Sequence, residues 1–350
     1  MDLKVRQDED GHRLRGGGGD VEQVNRYLAH LSARGFSPAT VRAYAYDVLN
    51  FLRFCAERGL SLAAVAPGDL FDYLDWQAHS AAPAPSKVVR IDRRGGVAPS
   101  TMNRRIAAVR GMFEYLQIVG VRAANPVPVA RRSSGLRATP RGLLGHLGPG
   151  RRRSGGQLVR QPRRLPEALD PGDVNDFLAD LRTSRDRAIV LAMVLGGLRS
   201  AEVRSLRLAD VDMGMRRLRV VGKGNKERVV PVDAAFFAEC AAYLRQERPP
   251  GCRTAECFVA LRGPRLGQSM TEAGLRSLFR RHRATSGACR VRPHRLRHTY
   301  GTEMATAGMD ILALRELMGH SSPETTARYV HLSPVTLAAE YAAARKAGSR

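Results

Sequence analysis

Residues 126–165 contain ten Arg, seven Gly and five Pro, with no Asp or Glu. A stretch so rich in turn formers and in charge of one sign cannot build a packed core. Whatever the chain folds into, it must do so on either side of this segment. The 350 residues therefore read as two domains joined by a basic linker, each long enough to bury a core of its own.

On the N-terminal side, residues 1–19 end in Gly16-Gly17-Gly18-Gly19 and are expected to be disordered. From Asp20 to about Leu31, Val21, Val24, Tyr27, Leu28 and Leu31 follow a helical period that Gly35 closes. Ser37-Pro38 opens a second helix by cap and then proline, with Val41, Tyr44, Val48, Leu52 and Cys55 inward as far as Gly59. A third runs near Asp69 to Ala78, with Asp69 as its cap. Ser100 is expected to cap a fourth, which buries Ile106, Val109, Phe113 and Leu116 and leaves Arg104, Arg105 and Arg110 off the apolar stripe. Four amphipathic helices make a small bundle over residues 20–125.

Beyond residue 165, Asp170-Pro171 opens a helix through Leu181, and Ser184 is expected to cap a buried one that stops at Gly196-Gly197. Ser200 is expected to cap a short third, which places Arg199 on the turn before a helix N-terminus, a favourable place for an anion. Two β-rich runs, 217–221 and 228–232, flank Gly222-Lys223-Gly224-Asn225-Lys226-Glu227, whose Gly and Asn mark a hairpin loop. Helices around Phe236–Leu244 and Leu275–His282 supply core and surface.

Charge narrows the choice of partner. Fifty-seven Lys and Arg against thirty-three Asp and Glu leave +24, an excess that solubility does not require and that suits a polyanion, nucleic acid first. No run approaches the ~20 apolar residues of a transmembrane helix, and the N-terminus lacks the apolar centre of a secretion signal. The five cysteines, Cys55, Cys240, Cys252, Cys257 and Cys289, are odd in number and lack metal-ligand spacing. They are read as reduced, intracellular thiols.

The chemistry concentrates near the C-terminus. A helix opening at Pro293 places His294, Arg297 and His298 at i, i+3 and i+4, on one face. A fixed planar cation beside two imidazoles suits an anion that must also exchange protons. Asp310 caps a short helix through Leu317, Gly319 sits where a left-handed stop is wanted, and His320 lies in the turn beyond. Ser322-Pro323-Glu324 opens a further helix, about two turns into which stands Tyr329. His320 and Tyr329 facing Arg297 would make a site for an oxygen nucleophile beside a bound anion.

Five motifs in this order carry a resemblance: Gly197-Leu198-Arg199-Ser200-Ala201-Glu202, Gly222-Lys223-Gly224-Asn225-Lys226, His294-Arg295-Leu296-Arg297-His298, Leu317-Met318-Gly319-His320-Ser321-Ser322 and Thr325-Thr326-Ala327-Arg328-Tyr329. The chain resembles the tyrosine recombinase (phage integrase) family, especially its Xer-like members and the transposon and integron integrases. The resemblance implies a mainly α fold with a small β-hairpin or sheet. It divides this fold into a four-helix, SAM-like core-binding domain over residues 20–125 that clamps DNA and a mixed α/β catalytic domain over 166–332. Residues 333–350 would form a C-terminal tail for protomer contact. Two departures stand out. The linker is long for a compact member, and about 20 residues precede the first helix, too few for a separate arm-site-binding domain.

The resemblance also implies a reaction. Tyr329 would attack a DNA phosphodiester to give a 3′-phosphotyrosyl link and a free 5′-hydroxyl. Arg199 and Arg297 would grip the non-bridging oxygens with His320 as a further donor, and His294 would take the phenolic proton. Lys223 would protonate the leaving oxygen, and Glu202 would orient the site from behind. No metal and no cofactor is expected: arginines stand where Mg²⁺ serves other phosphoryl transfers. Double-stranded DNA is the expected partner, touched also by Arg104, Arg105, Arg110 and, along the linker, Arg151, Arg152 and Arg153. A homo-tetramer on two DNA sites, room for an accessory directionality factor, and a cytoplasmic, nucleoid-associated location complete the expectation. Two alternatives remain open, a type IB-like topoisomerase and a non-catalytic DNA-binding regulator. Supercoil relaxation without strand exchange would favour the former. An intact Arg199, Lys223, Arg297 and Tyr329 argues against the latter, since binding needs no nucleophile.

Overall fold

The computed structural model describes residues 3–8, 11–79, 96–128, 158–160, 168–222, 225–320, 323–326 and 345. Lys223, Tyr329, Arg151, Arg152, Arg153 and nearly all of the expected C-terminal tail lie outside these residues. The chain divides into two units, 1–163 and 164–350.

The first unit opens with a structure where disorder was expected. Strands β1 (Lys4–Asp8) and β2 (Gly11–Arg15) form an antiparallel hairpin with Val5 opposite Leu14. Leu3 and Leu14 are buried. The Asn25 side chain accepts from the Leu14 amide at 2.8 Å and donates to the Leu14 carbonyl at 2.9 Å, as a neighbouring strand would. Strands this polar, each with little apolar content, give no alternation to read, and the glycine run hid them.

Four helices follow: α1 (Gly19–Ala33), α2 (Pro38–Arg58), α3 (Pro67–His79) and α4 (Pro99–Ile118). In α1 the buried residues are Val21, Val24, Tyr27, Leu28 and Leu31, the stripe that the period predicts. Ser37 caps α2 and Gly59 ends it at φ 65°. Two caps differ from expectation. Ala98, not Ser100, precedes α4, because Pro99 holds the first helical position and biases its predecessor to extended backbone. Asp69 lies inside α3, where its carboxylate accepts from the Ala66 amide at 2.8 Å. Phe51, Phe54, Tyr73 and Phe113 stack edge to face and tilted at the centre of this core.

The second unit is built around α6 (Ser184–Val194), buried among α5 (Pro171–Asp180), α8 (Ala234–Gln246), α9 (Glu272–Thr285) and α10 (Pro293–Thr306). Its cap is Thr183, one residue before the serine expected, and the Glu247 carboxylate covers the next two amides, Ser184 and Arg185. A three-stranded antiparallel sheet in the order β3 (Val211–Asp212), β4 (Arg217–Val221), β5 (Glu227–Pro231) stands beside it. Along β5 exposure alternates, so that Arg228 and Val230 turn inward while Glu227, Val229 and Pro231 face out. The short helices α7 (Ser200–Ser205), α11 (Ile311–Met318) and α12 (Pro323–Thr326) complete the α-helices of the described residues. Among these, no helix is long and apolar enough to cross a membrane.

Candidate active site

The site starts at the stop of α6. Gly197 takes φ 62°, and a Cβ there would come within 2.5 Å of the Tyr300 ring, so only glycine lets the turn pass α10. The turn delivers Arg199 as the N-cap of α7, in place of the serine expected, and Glu202 as the third residue of that helix. Glu202 reaches back to accept from the Arg199 amide at 2.8 Å, an orphan donor of the helix start.

Glu202 is 4% exposed and is the hub. It accepts from Arg199 Nη1 at 2.7 Å and from Arg228 Nη1 and Nη2 at 2.9 and 2.8 Å, the latter a fork spanning both carboxylate oxygens. Arg297 Nη1 stands 3.9 Å from its second oxygen. Burial alone would raise the pKa, but the bonds from Arg228 and from the Arg199 amide outweigh it and hold the carboxyl at about 2.

Three of these elements also close on the end of α11. Asp310 caps its start, accepting from Leu312 and Ala313, and Gly319 ends it at φ 59°. The last carbonyls of a helix have no intrahelical partner and carry the negative end of its dipole. Here three successive ones are met by three arginines: Leu317 by Arg228 Nε at 2.7 Å, Met318 by Arg297 Nη2, and Gly319 by Arg199 Nη2 at 2.9 Å. Arg297 also donates to the Gly197 carbonyl through Nη1. Arg199, Arg297, Glu202 and the turn bearing His320 are thereby brought to one place.

His320 follows that turn, with Nδ1 2.9 Å from the hydroxyl of buried Thr326. Burial first, then Arg297, Arg199, His298 and Arg228, push its pKa down to about 4, so the ring is neutral near pH 7. His294 and His298 lie on the same side of α10 with ring centroids 6.2 Å apart. His294 is exposed, and burial of part of its ring with Arg292 and Arg295 nearby lowers its pKa. Of the hairpin loop, Gly222 and Asn225 onward are described, with the Gly222 amide donating to the Lys226 carbonyl at 2.8 Å.

Arg104, Arg105 and Arg110 are each bonded within the first unit: to buried Asp47, to Gln77 and to the Pro128 carbonyl. Arg104 stays exposed. In the second unit a cavity of about 640 Å³ is lined by Asp180, Arg185, Glu247 and Arg281, and by none of the residues above. Arg185 and Arg281 both turn to Asp186 there. Two members of the site have roles that the motifs alone do not assign. Thr326 stands within the last motif, but nothing there marks it as the partner of His320. Arg228 lies outside the motifs, yet strand alternation places it inward with Val230, and a cation on a buried face requires an acid.

Residues 167–335 match the Phage integrase family and residues 24–118 the Phage integrase N-terminal SAM-like domain. Tyrosine recombinase XerC of Chromohalobacter salexigens is 31% identical over 324 residues, 91% of this chain and 93% of that protein. The XerC of Myxococcus xanthus is 30% identical over 327 residues, 89% and 93% of the two. Among solved structures, the Tn1549 transposon integrase in complex with transposon right end DNA superposes with a TM-score of 0.64 at 16% identity, covering 91% of this chain and 98% of that one. XerH bound to a palindromic difH substrate gives 0.59 at 19%, covering 93% and 86%. The chain belongs to the phage integrase family of tyrosine recombinases. It is a tyrosine-type site-specific recombinase.

Proposed function

We propose that this protein breaks and rejoins double-stranded DNA at specific sites through a 3′-phosphotyrosyl intermediate, with Tyr329 as nucleophile. The observation that carries this reading is the gathering of Arg199, Arg228 and Arg297 around one carboxylate, Glu202, beside a neutral His320. A phosphodiester in transfer, with extra charge on its non-bridging oxygens, is the anion such a cluster of cations fits.

In this reading Tyr329 Oη bonds to phosphorus while the bond from phosphorus to the 5′-oxygen breaks. His294, kept unprotonated near neutrality by its lowered pKa, accepts the phenolic proton. Lys223 gives a proton to the departing 5′-oxygen. Arg199, its side chain 36% exposed, and Arg297 hold the non-bridging oxygens. His320, if its Nδ1 accepts from Thr326, carries its proton on Nε2 and donates a neutral hydrogen bond there. The phosphotyrosyl ester conserves the energy of the cleaved link, so rejoining needs no nucleotide. A homo-tetramer holds two DNA sites, an accessory factor can set direction, and the reaction takes place on the nucleoid in the cytoplasm. The complexes of XerH and of the Tn1549 integrase with DNA support the choice of partner.

The test is a nicked suicide substrate, in which loss of a short 5′-hydroxyl fragment traps the covalent adduct. Wild-type protein should accumulate the adduct without metal or ATP. Tyr329→Phe should abolish it and leave binding within about twofold, since one hydroxyl contributes little to a contact dominated by phosphate charge. An adduct that persists in Tyr329→Phe would mean another nucleophile.

A further inference from the structure

Arg228 belongs to none of the five motifs, yet all three of its guanidinium nitrogens are committed to protein acceptors. Its side chain is 5% exposed. With Nε and both Nη atoms already donating to Glu202 and Leu317, its guanidinium is placed as a brace between protein segments. We propose that Arg228 is a positioning residue of the strand-transfer reaction, holding in one register the start of α7 that presents Arg199, the turn that presents His320 and the end of β4 at Gly222. This inference rests on the phosphotyrosyl reading above.

Each of its contacts serves one segment. The fork on Glu202 occupies one site on each carboxylate oxygen and leaves the others to the Arg199 amide and Nη1, so Glu202 can turn Arg199 only while Arg228 fixes Glu202. The bond from Nε to the Leu317 carbonyl ties β5 to the end of α11, two residues before the turn and three before His320. The third contact is steric. A Cβ on Gly319 would lie 3.0 Å from Arg228 Nη1, and one on Gly222 would lie 3.4 Å from the same nitrogen and 3.6 Å from Glu202 Oε1. The guanidinium is therefore wedged between the glycine that precedes His320 and the glycine that precedes Lys223. A lysine could keep the charge but could not bridge two oxygens and a carbonyl at once.

The experiment compares full-length wild type, Arg228→Met and Arg228→Lys in single-turnover adduct formation on the nicked substrate, with DNA affinity and thermal unfolding measured in parallel. A misplaced clamp should slow cleavage at saturating DNA on the order of 100-fold in Arg228→Met, with affinity changed less than about threefold, since Arg228 touches no phosphate. Arg228→Lys should recover part of the rate. A second substrate replaces the scissile phosphate by a methylphosphonate, which has no charged non-bridging oxygen for the arginines to meet. On it the rates of wild type and Arg228→Met should converge to within about threefold. Slowing by the same factor on both substrates would reduce Arg228 to a folding residue and overturn the inference, as would equal rates on the ordinary phosphate. If wild type itself forms no adduct, the reading beneath it fails instead. Should Arg228→Met not fold, Glu202→Gln combined with Arg228→Met removes the stranded buried charge and is put through the same two substrates.

Discussion

Each unit of the molecule buries a carboxylate against an arginine, and the two behave in opposite ways. Asp47, on α2, is 2% exposed and meets Arg104 at 2.5 Å. Its pKa is nevertheless raised, because burial outweighs the attraction of Arg104 and Arg105. Glu202 is just as enclosed, yet it is held at about 2. The difference lies in the donors. Asp47 has a bond from one guanidinium whose side chain is half in water, whereas Glu202 takes two bonds from a buried fork, one from a backbone amide and one from Arg199. A buried charge is stable when its lone pairs are filled, and nearness to a cation does not suffice. The first arrangement is a structural ion pair. The second keeps a permanent anion among the arginines of the site.

The largest consequence is for stability at neutral pH. Holding Glu202 at about 2 against an ordinary 4.5 corresponds to about 3 kcal/mol. Glu202→Gln should cost at least that much, because it also leaves Arg228 buried with a weaker partner. Asp47→Asn should cost under about 1 kcal/mol, since Arg104 can turn to solvent and the amide spares the fold a poorly satisfied charge. Denaturant unfolding of both variants in the full-length chain measures the contrast. Equal losses would mean that donor number does not set the value of these pairs.

Acid should separate the two more gently and with opposite sign. Glu202 has a depressed folded pKa, so its contribution is present above 4.5 and fades as pH falls toward about 2. The gap in stability between wild type and Glu202→Gln should close across that window. Asp47 has a folded pKa raised above 3.8, so its ionised form burdens the native state, and that burden lifts as pH falls through the raised value. Over that range wild type should gain on Asp47→Asn. Two gaps that shift in the same direction would contradict the opposite shifts of the two carboxyls.

Sequence reading reached most of what is local. The apolar stripe of α1, the Ser37-Pro38 and Asp170-Pro171 starts and the Gly59 and Gly319 stops are set by residues within a turn of one another, and the structure has them as expected. The starts at Thr183, Ala98 and Arg199 were each missed by one or two residues, since several neighbours can offer a cap and the choice falls to packing and proline. What could not be read is what distance brings together. Nothing within β5 says that the Leu317 carbonyl, 89 residues away, will come to rest on Arg228. The motif residues announce a site but not the guanidinium that locks it.

The two left-handed glycines offer the finest form of the comparison. Gly59 ends α2 at φ 65° and Gly319 ends α11 at φ 59°, so alanine at either place meets the same backbone penalty, about 1 kcal/mol. They differ in surroundings. A Cβ on Gly59 would meet nothing within 4 Å, whereas one on Gly319 would press on Arg228. Gly59→Ala should therefore lose about 1 kcal/mol of stability and leave the rate of adduct formation unchanged. Gly319→Ala should lose about as much stability, because a guanidinium can give by a few tenths of an ångström, but it should also slow cleavage by displacing the fork from Glu202. If the two alanines unfold alike and cleave alike, the contact between Gly319 and Arg228 has no bearing on the chemistry, and the left-handed stop before His320 serves only to end a helix.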